Sequence, residues 1–162
     1  MDTCTVSFFG HRQLDSPLQI EKRLEQLVIE LLATQSYVEF LVGRDGEFDL
    51  LAASVIHRCQ RTFRADNSAL VWVMPYLTAE YRDNEEAFRE YYNGIEICEK
   101  AAGKHFKAAF QIRNRSMIDR SDLAVFCIQH TNGGAWQMLR YAKRRGIPIL
   151  FVNPVESEIQ SV

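Results

Sequence analysis

The sequence predicts an α/β fold, a doubly wound, mostly parallel sheet flanked by helices in a single domain. Three observations predict it. Six short apolar runs read as strands, and most are continuously apolar, as in strands covered on both faces. Four stretches between them repeat apolar residues at helical spacing. The chain has 162 residues, 47% hydrophobic and 25% charged, which suits one folded domain with a substantial core.

Residues 3–9 form the first predicted strand. Asp15-Ser16-Pro17 then opens a helix with the stripe Ile20, Leu24, Leu27, Val28, Leu31 and Leu32. Residues 38–42 follow as a strand, and Phe48, Leu51, Ala52, Val55 and Ile56 mark a second helix. Residues 69–74 are the third strand. Residues 75–94, acidic and rich in tyrosine, read as a long loop with one short helix. A loop of that length is often functional, and a solvated excursion explains it equally well. Residues 95–98 are a fourth, short strand. Phe106, Ala109, Phe110 and Met117 mark the third helix, and residues 123–128 the fifth strand. Ala135, Met138, Leu139 and Ala142 mark the fourth helix, closed by Arg144-Arg145-Gly146. Residues 148–152 end the series. No linker divides it, so one domain is expected over residues 1–155, with a short tail at 156–162.

Charge and cysteine usage narrow the function classes. The 19 Lys and Arg face 21 Asp and Glu, a net charge of -2, which gives no bulk case for nucleic acid as a partner. Cys4, Cys59, Cys98 and Cys127 form no CxxC pair and no zinc-spaced cluster, so reduced thiols, no metal and a cytoplasmic location are expected. The first residues carry no signal-peptide pattern, and no apolar run approaches the roughly 20 residues of a membrane span.

In an open parallel sheet, ligands bind beyond the carboxyl ends of the strands. Three glycine-bearing turns fall there: Gly10-His11-Arg12, Gly43-Arg44-Asp45-Gly46 and His130-Thr131-Asn132-Gly133-Gly134. Glycine lets a ligand approach the backbone, and helix N-termini offer N–H groups to anions. Arg12 and Arg44 would add charge-assisted hydrogen bonds. The chain has no GxxxxGK[ST] and no GxGxxG after the first strand, which disfavours an ordinary ATPase or nicotinamide dehydrogenase. Arg113 lies on an apolar helical stripe, so it needs a partner, a cleft or a snorkelling position. Asp49 suits the first turn of its helix and is also a candidate ligand contact. Trp136 and Gln137 follow the double glycine, where a tryptophan either stacks a base or packs. His11 is a candidate general base or phosphate contact, with a structural hydrogen bond as the plain alternative.

Together these strings form a pattern. Gly10-His11-Arg12, Gly43-x-x-Gly46-x-x-Asp49 with Ala52-Ala53, Arg113-Asn114-Arg115-x-Met117-Ile118-Asp119-x-Ser121-Asp122, and Gly133-Gly134-Ala135-Trp136-Gln137 with Tyr141-Ala142 stand in this order. They resemble the YpsA-like proteins, a bacterial family of the SLOG superfamily, over residues 5–152. The resemblance implies a Rossmann-like fold and a pocket for a nucleotide or nucleotide-derived small molecule, with Asn114 among its residues. It implies self-association into a homo-oligomer, and no required cofactor is expected. Lonely-guy-type phosphoribohydrolases of the superfamily pair an Arg-x-x-x-Met block with Pro-Gly-Gly-x-Gly-Thr-x-x-Glu. Arg113 and Met117 match the first block, but Arg140 stands at the closing glutamate. N-glycosidic cleavage needs a carboxylate, not a cation. The expectation is therefore binding or sensing of a nucleotide-like ligand. An enzyme acting on a nucleotide or sugar phosphate is the alternative. An interaction protein with residues 75–94 as its contact surface ranks third. The superfamily also includes DNA-binding members, which the net charge does not favour here.

Overall fold

The computed structural model describes residues 2–154. The elements run β1 (Thr3–Gly10), α1 (Pro17–Thr34), β2 (Tyr37–Val42), α2 (Glu47–Thr62), β3 (Ser68–Met74), α3 (Ala79–Asp83), α4 (Glu85–Tyr91) and β4 (Gly94–Ile97). A 3-10 turn (Glu99–Ala101) leads to α5 (Phe106–Asp119), β5 (Leu123–Cys127), α6 (Gly133–Arg145) and β6 (Ile149–Phe151). The strand order is β4-β3-β2-β1-β5-β6, and every pairing is parallel. The sheet is thus wholly rather than mostly parallel. Its winding reverses between β1 and β5, which puts the ligand-binding crevice of such folds at their carboxyl ends.

Successive side chains of a strand point to opposite faces, so continuous apolar runs feed two layers. Val6, Phe8, Phe40, Val42, Leu70 and Trp72 pack on one face with Leu24 and Val28 of α1 and Ala52 and Ile56 of α2. Phe9, Leu41, Val71, Val73 and Phe126 pack on the other with Met117 and Ile118 of α5 and Leu139 and Ala142 of α6. The switch point is held by polar bonds at the start of β5. Thr5 donates its N–H to Asp122 Oδ2 at 2.8 Å and accepts from the Asp122 N–H at 2.8 Å. Ser121 Oγ donates to the Met117 carbonyl at 2.6 Å. Gly146, at φ 73, ends α6 with its N–H on the carbonyls of Ala142 and Lys143.

Two readings of the sequence change. Residues 75–94 hold two short helices, α3 and α4, rather than one. Tyr81, Phe88 and Tyr92 surround the Trp72 ring at centroid distances of 5.9, 5.1 and 5.4 Å, so the excursion has its own apolar anchor. On α5, Phe106 is 52% exposed, because the core stripe there is Ala109, Arg113 and Met117. All four cysteines are free. Among the described residues no helix is long and apolar enough to cross a membrane. The expected tail at 156–162 lies outside the described residues.

Candidate functional site

A cleft of about 510 Å³ opens at the carboxyl ends of β1, β2 and β5. It gathers Gly10, His11, Arg12, Gly43, Gly46, Asp49, Arg113, Asn114, Gly133 and Gly134 from the sequence-based candidates. Two glycines are required by close approach. A Cβ on Gly10 would stand 2.2 Å from Phe48 Cγ, and one on Gly46 would stand 2.4 Å from Arg12 Cα. The β1–α1 loop therefore lies against the start of α2. It also caps that helix: Glu47 N–H donates to the Arg12 carbonyl at 2.9 Å and Phe48 N–H to the His11 carbonyl at 3.4 Å. The α2 N-terminus is thus occupied by the protein itself and is not free for an anion.

The α6 N-terminus is different. Asn132 makes no side-chain cap, and the first turn holds no acidic residue. The N–H groups of Gly134 and Ala135 have no hydrogen-bond partner among the described residues. A Cβ on Gly134 would meet nothing within 4 Å, so this backbone faces open space. Gly133 adopts φ 85, where side chains are strained. Arg12 lines the same cleft and is exposed, and its guanidinium has no hydrogen bond or ion pair with any described residue. A free guanidinium and an uncapped helix start thus border one cavity.

Arg113 is 1% exposed. Its Nη1 donates to the Val73 carbonyl at 2.9 Å, its Nε to Asn114 Oδ1 at 2.8 Å, and its Nη2 pairs with Asp45 Oδ2. The guanidinium stacks 5.2 Å from the Phe110 ring centre. The buried charge is neutralised by Asp45 and held as a fixed wall of the cleft. Asp49 Oδ2 accepts the Asp45 N–H at 2.9 Å. Burial pushes the Asp49 carboxyl up to about 7, and the neighbouring Asp45 charge adds to that, against the pull of Arg113. The Asp45 carboxylate that pairs with Arg113 and the buried Asp49 carboxyl therefore share the cleft wall.

His11 and His130 stack across the β1–β5 crevice with ring centres 3.5 Å apart. The His130 N–H points at His11 Nε2 at 3.4 Å, which assigns the proton of a neutral His11 to Nδ1. Burial, with the charge of His130 second, pushes His11 down to about 4.

Three candidates stand outside the cleft. Arg44 turns to the far side, where its Nε pairs with Glu80 at 3.1 Å and Nη1 donates to Tyr92 at 3.1 Å over the Phe88 ring. It pins α3 and α4 to the sheet. Trp136 packs half-buried against the α5–α6 core, and Gln137 faces a separate groove. Arg140 also lines that groove. Asp45, His130 and Phe110 line the cleft although the sequence did not single them out. Asp45 is the one with a signal: it precedes Asp49 by four residues in a glycine turn, and a buried arginine requires a counter-charge. Among the described residues no group of three or more His, Cys, Asp or Glu side chains could hold a metal ion.

No family model matches the chain, and no curated protein matches it in sequence. Its backbone is similar to DNA processing protein A from Helicobacter pylori, with a TM-score of 0.64 and 17% identity over 91% of this chain and 64% of that one. It is similar to DNA processing protein A from Streptococcus pneumoniae, with a TM-score of 0.64 and 14% identity over 91% of this chain and 50% of that one. The fold is Rossmann-like. This chain spans less than two thirds of the length of either neighbour. The Helicobacter pylori protein binds single-stranded DNA. That overturns the expectation against nucleic acid as a partner, which rested on a net charge of -2. A net charge averages over the surface, whereas a strand meets a local patch.

Proposed function

We propose that the cleft binds a phosphorylated nucleoside unit, free or within a single strand, and that the protein acts as a binding or sensing module. The observation that carries this is the pairing of the unpartnered Arg12 guanidinium with the uncapped start of α6 in one cavity. Both seek an anion, and neither has one from the protein. The position at the β1–β5 reversal, and single-stranded DNA binding by a protein of the same fold, support the reading. Placement in the YpsA-like branch, a cytoplasmic location and independence of a cofactor belong to it.

Thermal unfolding against nucleoside monophosphates and short oligonucleotides tests it. A ligand at about 100 times its Kd adds about 2.7 kcal/mol, or roughly 5–10 °C for a domain of this size. Arg12→Ala should remove that shift and leave the ligand-free Tm unchanged, because Arg12 is exposed and unpaired. No shift with any ligand of the panel contradicts the proposal.

A second reading rests on Asp45 and Asp49. A buried carboxyl raised to about 7, beside the carboxylate that pairs with Arg113, suits general acid chemistry on a nucleotide or sugar phosphate. Arg140 does not line the cleft, so its charge does not oppose such a step there. Chromatographic detection of base release from nucleoside monophosphates, lost in Asp49→Asn, would favour this reading over sensing.

A further inference from the structure

A groove of about 220 Å³ lies outside the cleft, between α5 and α6. Its walls carry Arg115 from α5 and Arg140, Tyr141 and Arg144 from α6. The three arginines are exposed, and none of their guanidiniums has an ion pair or hydrogen bond with a described residue. Two of the guanidiniums lie over the Tyr141 ring, at 5.8 Å for Arg115 and 5.9 Å for Arg144. Tyr141 is fixed by its hydroxyl, which donates to Asp119 Oδ1 at 2.6 Å. Helix-end electrostatics accounts for Arg144 in the last turn of α6 but not for the set. Arg145 of the last turn pairs with Asp119 at 3.2 Å, but Arg140 sits within the helix and Arg115 on its neighbour.

The groove and the cleft share one seam. Phe110 and Asn114 of α5 face the cleft, while Gln111 and Arg115 face the groove. Gly134 opens the cleft side of α6, and Arg140 and Arg144 follow about 9 and 15 Å further along the axis at 1.5 Å per residue. A track of guanidiniums without counter-charges, two of them seated on a fixed aromatic ring, has the chemistry of a surface that follows the backbone charge of a single strand.

We infer that the α5–α6 groove binds the phosphodiester backbone of a single-stranded nucleic acid whose nucleotide unit enters the cleft. This rests on the proposed cleft function. Arg115, Arg140 and Arg144 meet phosphates, and the Tyr141 ring holds the guanidiniums of Arg115 and Arg144 in place.

The test is fluorescence anisotropy of a labelled oligothymidylate with the wild type, Arg140→Ala/Arg144→Ala and Arg140→Lys/Arg144→Lys across a salt series. Thermal shift with thymidine 5′-monophosphate runs in parallel. The alanine variant should bind the strand more weakly, with a slope of log affinity against log salt flatter by about 0.7 for each phosphate it no longer neutralises. The lysine variant should keep most of the slope, and the monophosphate shift should be the same in all three. Equal affinity and slope in the alanine variant overturn the inference. So does a polyglutamate competitor that displaces the strand at matched charge, which would assign the groove to an acidic protein. A wild type that responds to the monophosphate but not to the strand overturns the groove and leaves the cleft standing. Strand binding through the arginines without a monophosphate response keeps the groove and overturns the cleft.

Discussion

Arg113 is buried on a helix stripe among apolar neighbours, and its partners explain how it can stay there. Asp45, the Val73 carbonyl and Asn114 take three of its donors. Removing one member of such a pair leaves the other charge uncompensated, at a cost of about 3–5 kcal/mol. Urea unfolding of Arg113→Ala should show a loss at the lower end of that range, since Asp45 keeps 29% of its side chain exposed. Asp49 and His11 give opposite pH effects in one window. The raised Asp49 carboxyl contributes stability below its unfolded pKa, lost as pH rises toward about 7. The lowered His11 contributes stability at neutral pH, lost as pH falls toward about 4. The two slopes oppose each other in the wild type. Asp49→Asn should therefore leave a protein that gains stability as pH rises from about 4 toward 6.5, measured as Tm against pH. At residue scale the sequence marked Arg113 because an arginine breaks an apolar period. It placed Arg44 in the site with Arg12 and was wrong there, because its aim depends on where α3 and α4 fold back.

At the scale of elements, the glycine turns separate into structural and open positions. Gly10→Ala should cost about 1–3 kcal/mol through overpacking against Phe48. Gly134→Ala should leave the stability nearly unchanged, since its Cβ meets nothing within 4 Å. Chemical denaturation of the two variants side by side checks the contrast. All six strands and the four long helices were legible, because a sheet covered on both faces needs continuous apolar runs and its helices need a single stripe. The division of residues 75–94 into α3 and α4 was not legible. Its apolar anchors, Tyr81, Phe88 and Tyr92, are scattered among acids and meet only around Trp72 of a different element. The capping of α2 by the carbonyls of residues 11 and 12 was likewise invisible, since it joins segments that α1 and β2 separate in the chain. Of α2 and α6, whose starts both line the cleft, it leaves α6 open.

Over the whole molecule, a net charge of -2 conceals a separation. From Phe106 to Gly146 the only acids are Asp119 and Asp122, among eight Lys and Arg residues. The acids concentrate elsewhere, including Glu80, Glu85, Glu86 and Glu90 on α3 and α4. The cationic side includes α5 and α6, two of the three helices that border the cleft, so attraction of an anionic ligand there should weaken as salt rises. Calorimetric titration of a nucleoside monophosphate into the wild type and Arg12→Ala tests the central claim most directly. Saturable one-site binding by the wild type, weakened at least tenfold or about 1.4 kcal/mol in Arg12→Ala, is the predicted result. Absence of binding heat at any accessible concentration and temperature, or unchanged affinity in Arg12→Ala, would contradict it.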